Sequence, residues 1–218
     1  MQPVIVPMGH KKAVHVHTWV LFLVATVALC LAPGPDMLFV VASAARGGAR
    51  TGLHAVRGIT TAMAVHVTAA AVGLSALFAA SATAFDVLRI VGAIYLVWLG
   101  LAALRGGKAA AKTPIPTHEA FRRGFLTNAT NPKVIVFFAA FLPQFVVPGS
   151  VPVAVQLLGL GAAFMLVGLA FDVSLAFAAG ALGRRLVDNT RALRVFDRVA
   201  GLVMIALGIE LFSAPRSA

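Results

Sequence analysis

The sequence predicts an all-α integral membrane protein with six transmembrane helices in two inverted three-helix repeats, with helices 1 and 4 broken at prolines. Three observations lead to this prediction. Of the 218 residues, 60% are hydrophobic and only 11% are charged, whereas about 25% of the residues in an average soluble domain are charged. The apolar residues fall into six runs. The first and the fourth run each contain a proline beside a charged side chain.

The six apolar runs are long enough, or nearly long enough, to cross a bilayer. A helix needs about 20 residues to span the hydrocarbon region. Alanine and glycine are abundant in all six runs, and such small residues let transmembrane helices pack closely. The runs cover residues 18–45, 58–84, 87–104, 124–147, 151–182 and 195–213. A lipid bilayer is therefore the expected surrounding of most of the chain.

Basic residues predict how the spans are oriented. Most of the 18 Lys and Arg residues lie in three connectors between the runs, while the connectors after the second and the fourth run contain none. The basic connector residues are Arg46, Arg50, Arg57, Arg105, Lys108, Lys112, Arg122, Arg123, Arg184, Arg185, Arg191, Arg194 and Arg198. By the positive-inside rule, these three connectors face the cytoplasm and both termini face the opposite side. This distribution accounts for the net charge of +11 without a nucleic-acid partner.

An internal similarity divides the chain into two halves. Pro35-Asp36 aligns with Pro132-Lys133, and the apolar residues that follow each pair align without a gap. Three spans in each half would insert the second half upside down, an arrangement typical of secondary transporters. The predicted units are an N-terminal tail (1–17), a first repeat (18–104), a basic cytoplasmic connector (105–123), a second repeat (124–213) and a C-terminal tail (214–218).

The two proline breaks are the first candidates for a functional site. Proline is favoured at the first position of a helix, after a capping residue. Asn131-Pro132 fits this pattern with Asn131 as the cap, and Gly34-Pro35 fits it more loosely. Each break is expected to start a half-helix near the membrane midplane, with free N–H groups that attract anions.

Three charged residues lie inside the apolar runs near these breaks or opposite them. Asp36 is favourable in a first helical turn, whereas Lys133 opposes the helix dipole there and should have an anionic partner. That partner is Asp36, Asp172 or the carboxylate of a ligand. Asp172 is also a candidate proton carrier, because burial disfavours the charged form of a carboxylate. A purely structural ion pair is the alternative for both Lys133 and Asp172.

Two further polar residues and one cysteine accompany the charges. His66 lies in the middle of the second run and is either a second proton-coupling candidate or a histidine bonded to a neighbouring helix. Asn128 lies one turn before Asn131. Cys30 is the single cysteine, so that no intrachain disulfide can form, and we interpret it as a small packing residue.

Two motifs resemble the signatures of the LysE/RhtB family of bacterial amino-acid exporters. Residues 31–36 (LAPGPD), followed by residues 46–52 (RGGARTG), resemble the amino-terminal signature. Residues 128–133 (NATNPK), followed by residues 138–145 (FAAFLPQF), resemble the second signature. The similarity runs from about His17 to the end of the chain.

This resemblance implies a multi-pass transporter of the bacterial inner membrane, with no enzymatic activity and no cofactor. Its substrate would be a small amino acid or related zwitterion, exported from the cytoplasm at the expense of the proton gradient. The candidate substrate-binding residues are Pro33, Gly34, Pro35, Asp36, Asn128, Asn131, Pro132 and Lys133, and the candidates for proton coupling are Asp172 and His66. Both a monomer and a homo-oligomer are compatible with the sequence.

Other functions are less consistent with the residues. The alternative is an exporter of another small solute or of a metal cation, and the latter would need Asp36, Asp172 and His66 to converge. Membrane disulfide-relay proteins have a similar layout but need a pair of cysteines. A scaffold without transport activity would not need the costly charges inside the runs. The chain has no nucleotide-binding loop, so that ATP-driven transport would need a separate subunit.

Overall fold

The computed structural model describes residues 8–31, 34–80, 82–105, 116–147 and 151–182, together with a discontinuous set between 198 and 213. The described residues are almost entirely helical and contain no β-strand, which confirms the all-α prediction. The helices are α1 (Met8–Leu31), α2 (Pro35–Ala80), α3 (Ala82–Leu104), α4 (Thr117–Ala129), α5 (Pro132–Val136) and α6 (Val153–Leu182). A π-helical turn, Phe137–Phe141, and a 3₁₀ turn, Leu142–Phe145, continue α5.

Membrane-length helices are present among the described residues. By length and composition, α6 and the Pro35–Leu74 part of α2 can each cross a membrane. A third span arises if α4 and the segment Pro132–Phe145 are counted together, although they meet at an angle of 47°. The number of six spans and the inverted repeat stay predictions.

Both predicted helix breaks are present. Helix α1 ends at Leu31 and α2 begins at Pro35. Helix α4 ends at Ala129 and α5 begins at Pro132. Proline at the first helical position costs no hydrogen bond, because the N–H groups of a first turn have no partner within the helix. The local sequence therefore starts each half-helix at the same place relative to its proline.

Two helices extend into segments that the sequence analysis did not assign to spans. Helix α1 begins at Met8, inside the predicted tail, and α4 begins at Thr117, inside the predicted basic connector. The first turns of α4 carry several polar, partly exposed side chains, with an ion pair between Glu119 and Arg123. Hydropathy identifies only the part of a helix that faces lipid or the protein core. It therefore does not detect the polar turns at which such helices begin.

The segment between the first two apolar runs is helical, with one interruption at Gly48. Gly48 has φ 80° and ψ 168°, a conformation that residues with a side chain rarely adopt. No atom lies within 4 Å of the position that a Cβ at Gly48 would occupy. The backbone conformation, rather than lack of space, therefore requires glycine at this kink of α2.

Helix α2 packs between α4 and α6 through very close backbone contacts. A Cβ added at Gly58 in α2 would overlap the carbonyl oxygen of Phe121 in α4, and one added at Gly124 in α4 would overlap that of Ala55. On the other side of α2, a Cβ at Gly180 in α6 would lie 2.7 Å from the backbone nitrogen of Ala49. Glycine at these positions lets the three helices pack closely. This packing keeps the break between α4 and α5 close to α2.

Aromatic rings connect α1, α6 and the segment that follows α5. The rings of Phe137 and Phe164 stack with their centroids 4.6 Å apart. From Phe137 the contacts continue to Phe141 at 5.3 Å and then to Phe145 at 5.2 Å. Phe145 packs against Phe22 of α1, also at 5.2 Å. This aromatic cluster extends from the neighbourhood of the two helix breaks along the Pro132–Phe145 segment.

Candidate functional site

The two helix breaks bring Asp36 and Lys133 into the interior of the protein. Each is the second residue of its half-helix, in α2 and α5 respectively. Their side chains are only 9% and 8% exposed. Two ions of opposite charge are thus buried beside the amino-terminal ends of two helices, where the sequence analysis placed them.

Asp36 is bound by two amide side chains from the other break. Its Oδ2 atom accepts hydrogen bonds from Nδ2 of Asn128 at 2.9 Å and from Nδ2 of Asn131 at 2.7 Å. Hydrogen bonds to a carboxylate are stronger than those between neutral groups. The second oxygen, Oδ1, is buried and has no hydrogen-bond partner among the described residues. The carboxylate can therefore accept one more donor.

Asn131 bonds to the carboxylate of Asp36 and to the backbone of Lys133. Its Oδ1 atom accepts a hydrogen bond from the backbone N–H of Lys133 at 3.1 Å, which confirms the predicted cap of α5. Its Nδ2 atom donates to Asp36. The amide group of Asn131 thus caps α5 and at the same time binds the carboxylate at the start of α2.

Lys133 makes the reciprocal contact with the first break. Its ammonium nitrogen, Nζ, donates to the backbone carbonyl of Leu29 in the last turn of α1 at 3.2 Å. In a continuous helix this carbonyl would bond to the N–H of residue 33, but proline has none. A Cβ at Gly34 would lie 3.0 Å from Nζ, so that glycine leaves room for the lysine next to the backbone. Pro33 itself lies outside the described residues.

His66 makes a similar contact at the other break. Its Nε2 atom lies 3.2 Å from the carbonyl oxygen of Asn128, whose helical partner would be the missing N–H of Pro132. A carbonyl oxygen only accepts, so that Nε2 must carry the hydrogen. The imidazole also stacks on Phe138, with the centroids 6.2 Å apart. His66 is thus bonded to a neighbouring helix, which is one of its two predicted roles.

A cavity of about 40 Å³ lies between the breaks and α6. Asp36 and Lys133 line it together with Asp172, so that three of the predicted charges converge there. The volume holds about three water molecules. The lining residues are Leu29, Cys30, Asp36, Met37, Met63, Lys133, Val134, Phe164, Gly168, Phe171 and Asp172. Asn128 and Asn131 are not among the lining residues, but both donate to Asp36, which is.

Sequence reasoning missed most of the apolar wall. Cys30, interpreted as a packing residue, lines the cavity, and so do Phe164 and Gly168 of α6. Phe164, Gly168 and Asp172 follow one another at intervals of four residues, which places them on one face of a helix. This spacing relative to Asp172 was a signal that could have identified them.

The metal alternative required His66 to join Asp36 and Asp172. Instead, His66 bonds to Asn128 and does not line the cavity. In the part of the chain that the structure describes, no three His, Cys, Asp or Glu side chains form a group suited to a metal ion.

Comparison with known proteins identifies the family. Residues 27–214 match the LysE type translocator model. The chain belongs to the LysE type translocator family. This assignment confirms the resemblance drawn from the two motifs, and it indicates a transporter rather than an enzyme. No solved structure matches this LysE-type chain.

Three relatives illustrate the range of this family. A homoserine/homoserine lactone efflux protein of Salmonella typhimurium is 29% identical over 200 residues, which cover 90% of this chain and 96% of that protein. An uncharacterized membrane protein of Vibrio cholerae is 36% identical over 138 residues, or 61% of this chain and 67% of that protein. A leucine efflux protein of Salmonella choleraesuis is 32% identical over 130 residues, or 57% of this chain and 61% of that protein.

Proposed function

We propose that this LysE-type translocator exports a small amino acid or a related zwitterion from the cytoplasm across the bacterial inner membrane. One observation carries the proposal: Asp36 and Lys133, from the two broken helices, are both buried and line the same cavity. A zwitterion has one group for each of these charges. The efflux proteins among the relatives support an amino-acid exporter.

The geometry indicates how a zwitterion would bind. The ammonium group of the substrate would donate to Oδ1 of Asp36, the oxygen without a partner among the described residues. The substrate carboxylate would approach the ammonium group of Lys133 and the amino-terminal end of α5, where helix dipole and lysine both favour an anion. A charge at the centre of a membrane costs about 2.5–3.5 kcal/mol on insertion scales. A bound zwitterion would offset this cost for both side chains.

Transport would exchange the hydrogen bonds between the two breaks for bonds to the substrate. Asp36 belongs to the first predicted repeat, whereas Asn128 and Asn131 belong to the second. Lys133 of the second repeat bonds to Leu29 of the first. Rocking of one inverted repeat against the other would therefore pull on these contacts and open the cavity to one side at a time.

Asp172 is the better of the two candidates for proton coupling. It lines the cavity together with Asp36 and Lys133. His66 already uses its Nε2 hydrogen in a bond to Asn128. Uptake of a proton by Asp172 would change the net charge of the cavity and thereby its affinity for the substrate. The proton gradient would then drive export.

A reconstituted system tests the proposed function. Purified protein in proteoliposomes that contain labelled amino acids should release at least one of them, faster when a proton gradient is imposed. Asp36→Asn and Lys133→Met should each reduce release at least about tenfold, since each lost charge-assisted bond is worth about 1.5–3 kcal/mol. Glu119→Gln, which removes a carboxylate of the partly exposed ion pair on α4, is the matched control and should transport normally. Release of no amino acid by the wild-type protein would overturn the proposal.

A further inference from the structure

We propose that the exported amino acid has an apolar side chain, aliphatic or thioether, and that this side chain lies against Cys30, Met63 and Gly168. The inference rests on the proposed function and specifies its substrate class. It depends on the chemistry of the cavity wall and on the space that Gly168 leaves open.

The wall of the cavity has few polar groups, and they correspond to the two ends of a zwitterion and to a proton. Asp36, Lys133 and Asp172 are its only polar side chains apart from the thiol of Cys30, among the residues that the structure describes. No described lining residue has a hydroxyl or an amide side chain. With Asp36 and Lys133 engaged by the substrate ends and Asp172 by the proton, the side chain of the substrate meets an apolar surface.

Gly168 leaves a space in this surface. A Cβ added at Gly168 would lie 3.9 Å from Sγ of Cys30 and 4.0 Å from Sδ of Met63, which are ordinary contact distances. At Gly161 and Gly180 of the same helix, a Cβ would come closer than 3 Å to a neighbouring helix. Gly168 is therefore not required for helix packing, although it is buried. Its missing side chain leaves room for about one methyl group between α1, α2 and α6, beside the cavity that Gly168 lines.

The residues around this space can adapt to a ligand. Met63 and Met37 are unbranched and polarizable, and thioether side chains rearrange readily around apolar groups of different shape. Because the cavity holds only about three water molecules, a substrate with a long side chain would need its wall to move. Methionine and cysteine side chains would make that movement possible without exposing a polar group.

Such a wall discriminates against a hydroxyl group in the substrate. A hydroxyl that enters without a hydrogen-bond partner loses its bonds to water. Norvaline and homoserine have nearly the same shape, as do valine and threonine, but in each pair the second member replaces a methyl by a hydroxyl. An apolar pocket favours the methyl member of such a pair by up to about 100-fold. We expect a preference of about 10- to 100-fold here.

The first experiment compares these pairs in proteoliposomes that contain the wild-type protein. Norvaline should inhibit export of a labelled substrate at concentrations about 10- to 100-fold lower than homoserine, and valine should do so relative to threonine. Equal potency within either pair, or preference for the hydroxylated member, would overturn the inference. So would preferential export of lysine, because Asp172 would then bind the substrate side chain.

The second experiment compares two glycines of α6. Gly168→Ala and Gly168→Val should shift export from leucine towards alanine. The shift should be at least about fivefold for the Gly168→Val variant, whose branched side chain extends beyond the room for one methyl group and into the cavity. Gly159→Ala and Gly159→Val are the matched controls, because Gly159 is exposed and no atom lies within 4 Å of its Cβ position. If substitutions at Gly168 and at Gly159 shifted the selectivity of export equally, Gly168 would not be part of the substrate site.

The outcomes separate the inference from the proposed function. If the wild-type protein exports no amino acid, the proposed function is wrong and the inference is overturned with it. If it exports amino acids but prefers those with polar side chains, the proposed function stands and only the apolar site is wrong. Retention of folded, monodisperse Gly168→Ala protein is expected, because its Cβ makes no close contact.

Discussion

The amide nitrogen of Asn131 lies 2.7 Å from Oδ2 of Asp36, although the two residues are 95 positions apart in the chain. This contact joins the break between α4 and α5 to the break between α1 and α2. Since the oxygen of the same amide caps α5, the start of one half-helix and the ion of the other depend on a single side chain. Any movement that separates the breaks must disrupt this contact.

Asn131→Asp should impair export while preserving the cap. The new carboxylate can still accept from the N–H of Lys133, but it replaces a donor with a second acid beside Asp36. We expect export to fall at least about tenfold, because a buried charge-assisted hydrogen bond worth about 1.5–3 kcal/mol is lost. Asn131→Ser, which keeps an N-cap and adds no charge, should lose less. Efflux from proteoliposomes measures export by both variants. If Asn131→Asp exported as fast as the wild-type protein, the hydrogen bond from Asn131 to Asp36 would not be needed for transport.

A charge exchange distinguishes a substrate site from a structural ion pair. In the double variant Asp36→Lys with Lys133→Asp, a structural attraction between the two residues would survive. If the two side chains bind the two ends of a zwitterion, the exchanged protein should insert and fold but not transport, because each charge now lies beside the wrong half-helix and the wrong end of the substrate. Near-normal export by the double variant would leave the structural ion pair as the explanation.

Asp172→Asn should uncouple export from the proton gradient. The amide is similar in shape but cannot take up a proton, so that the rate of export should lose its dependence on an imposed pH difference while substrate binding persists. Efflux from proteoliposomes with and without the gradient measures this effect. Asp172 is not the proton carrier if the variant responds to the gradient as the wild-type protein does.

Gly58→Ala should destabilise the protein through helix packing alone. The added methyl group would overlap the carbonyl oxygen of Phe121, so that α2 and α4 must move apart. Inserting a methyl group into a tightly packed contact costs about 1–3 kcal/mol, which thermal unfolding in detergent would detect. Gly73→Ala in the same helix is the control, since no atom lies within 4 Å of its Cβ position. Equal melting temperatures for the two variants would contradict the close packing of α2 on α4.

Reporter fusions test the predicted orientation. The basic connectors predict that fusions after Gly106 and after Arg185 report the cytoplasm, and that one after Gly149 reports the periplasm. All three fusion sites lie outside the described residues. A cytoplasmic signal after Gly149 would contradict the inverted repeat, because the fourth span would then not cross the membrane.

The sequence by itself determined the local features of this protein. The helical class, the breaks at Pro35 and Pro132, the cap at Asn131 and the family could all be read from it. These features depend on residues that are close together in the chain: a proline without an N–H, an amide before it, and a run of apolar side chains around both. The kink at Gly48 lies in one of the family motifs, but no local signal fixed its conformation.

Only the tertiary structure decided which groups meet. The bond between Asn128 and Asp36 joins residues 92 positions apart, and the carbonyl that accepts Lys133 lies 104 positions before it. The surroundings of Gly168 likewise depend on sulfur atoms from two other helices. Such contacts arise when helices pack, and close packing is decided by the shapes of all the neighbouring side chains at once. Hydropathy and capping act within a few residues and therefore carry no information about them.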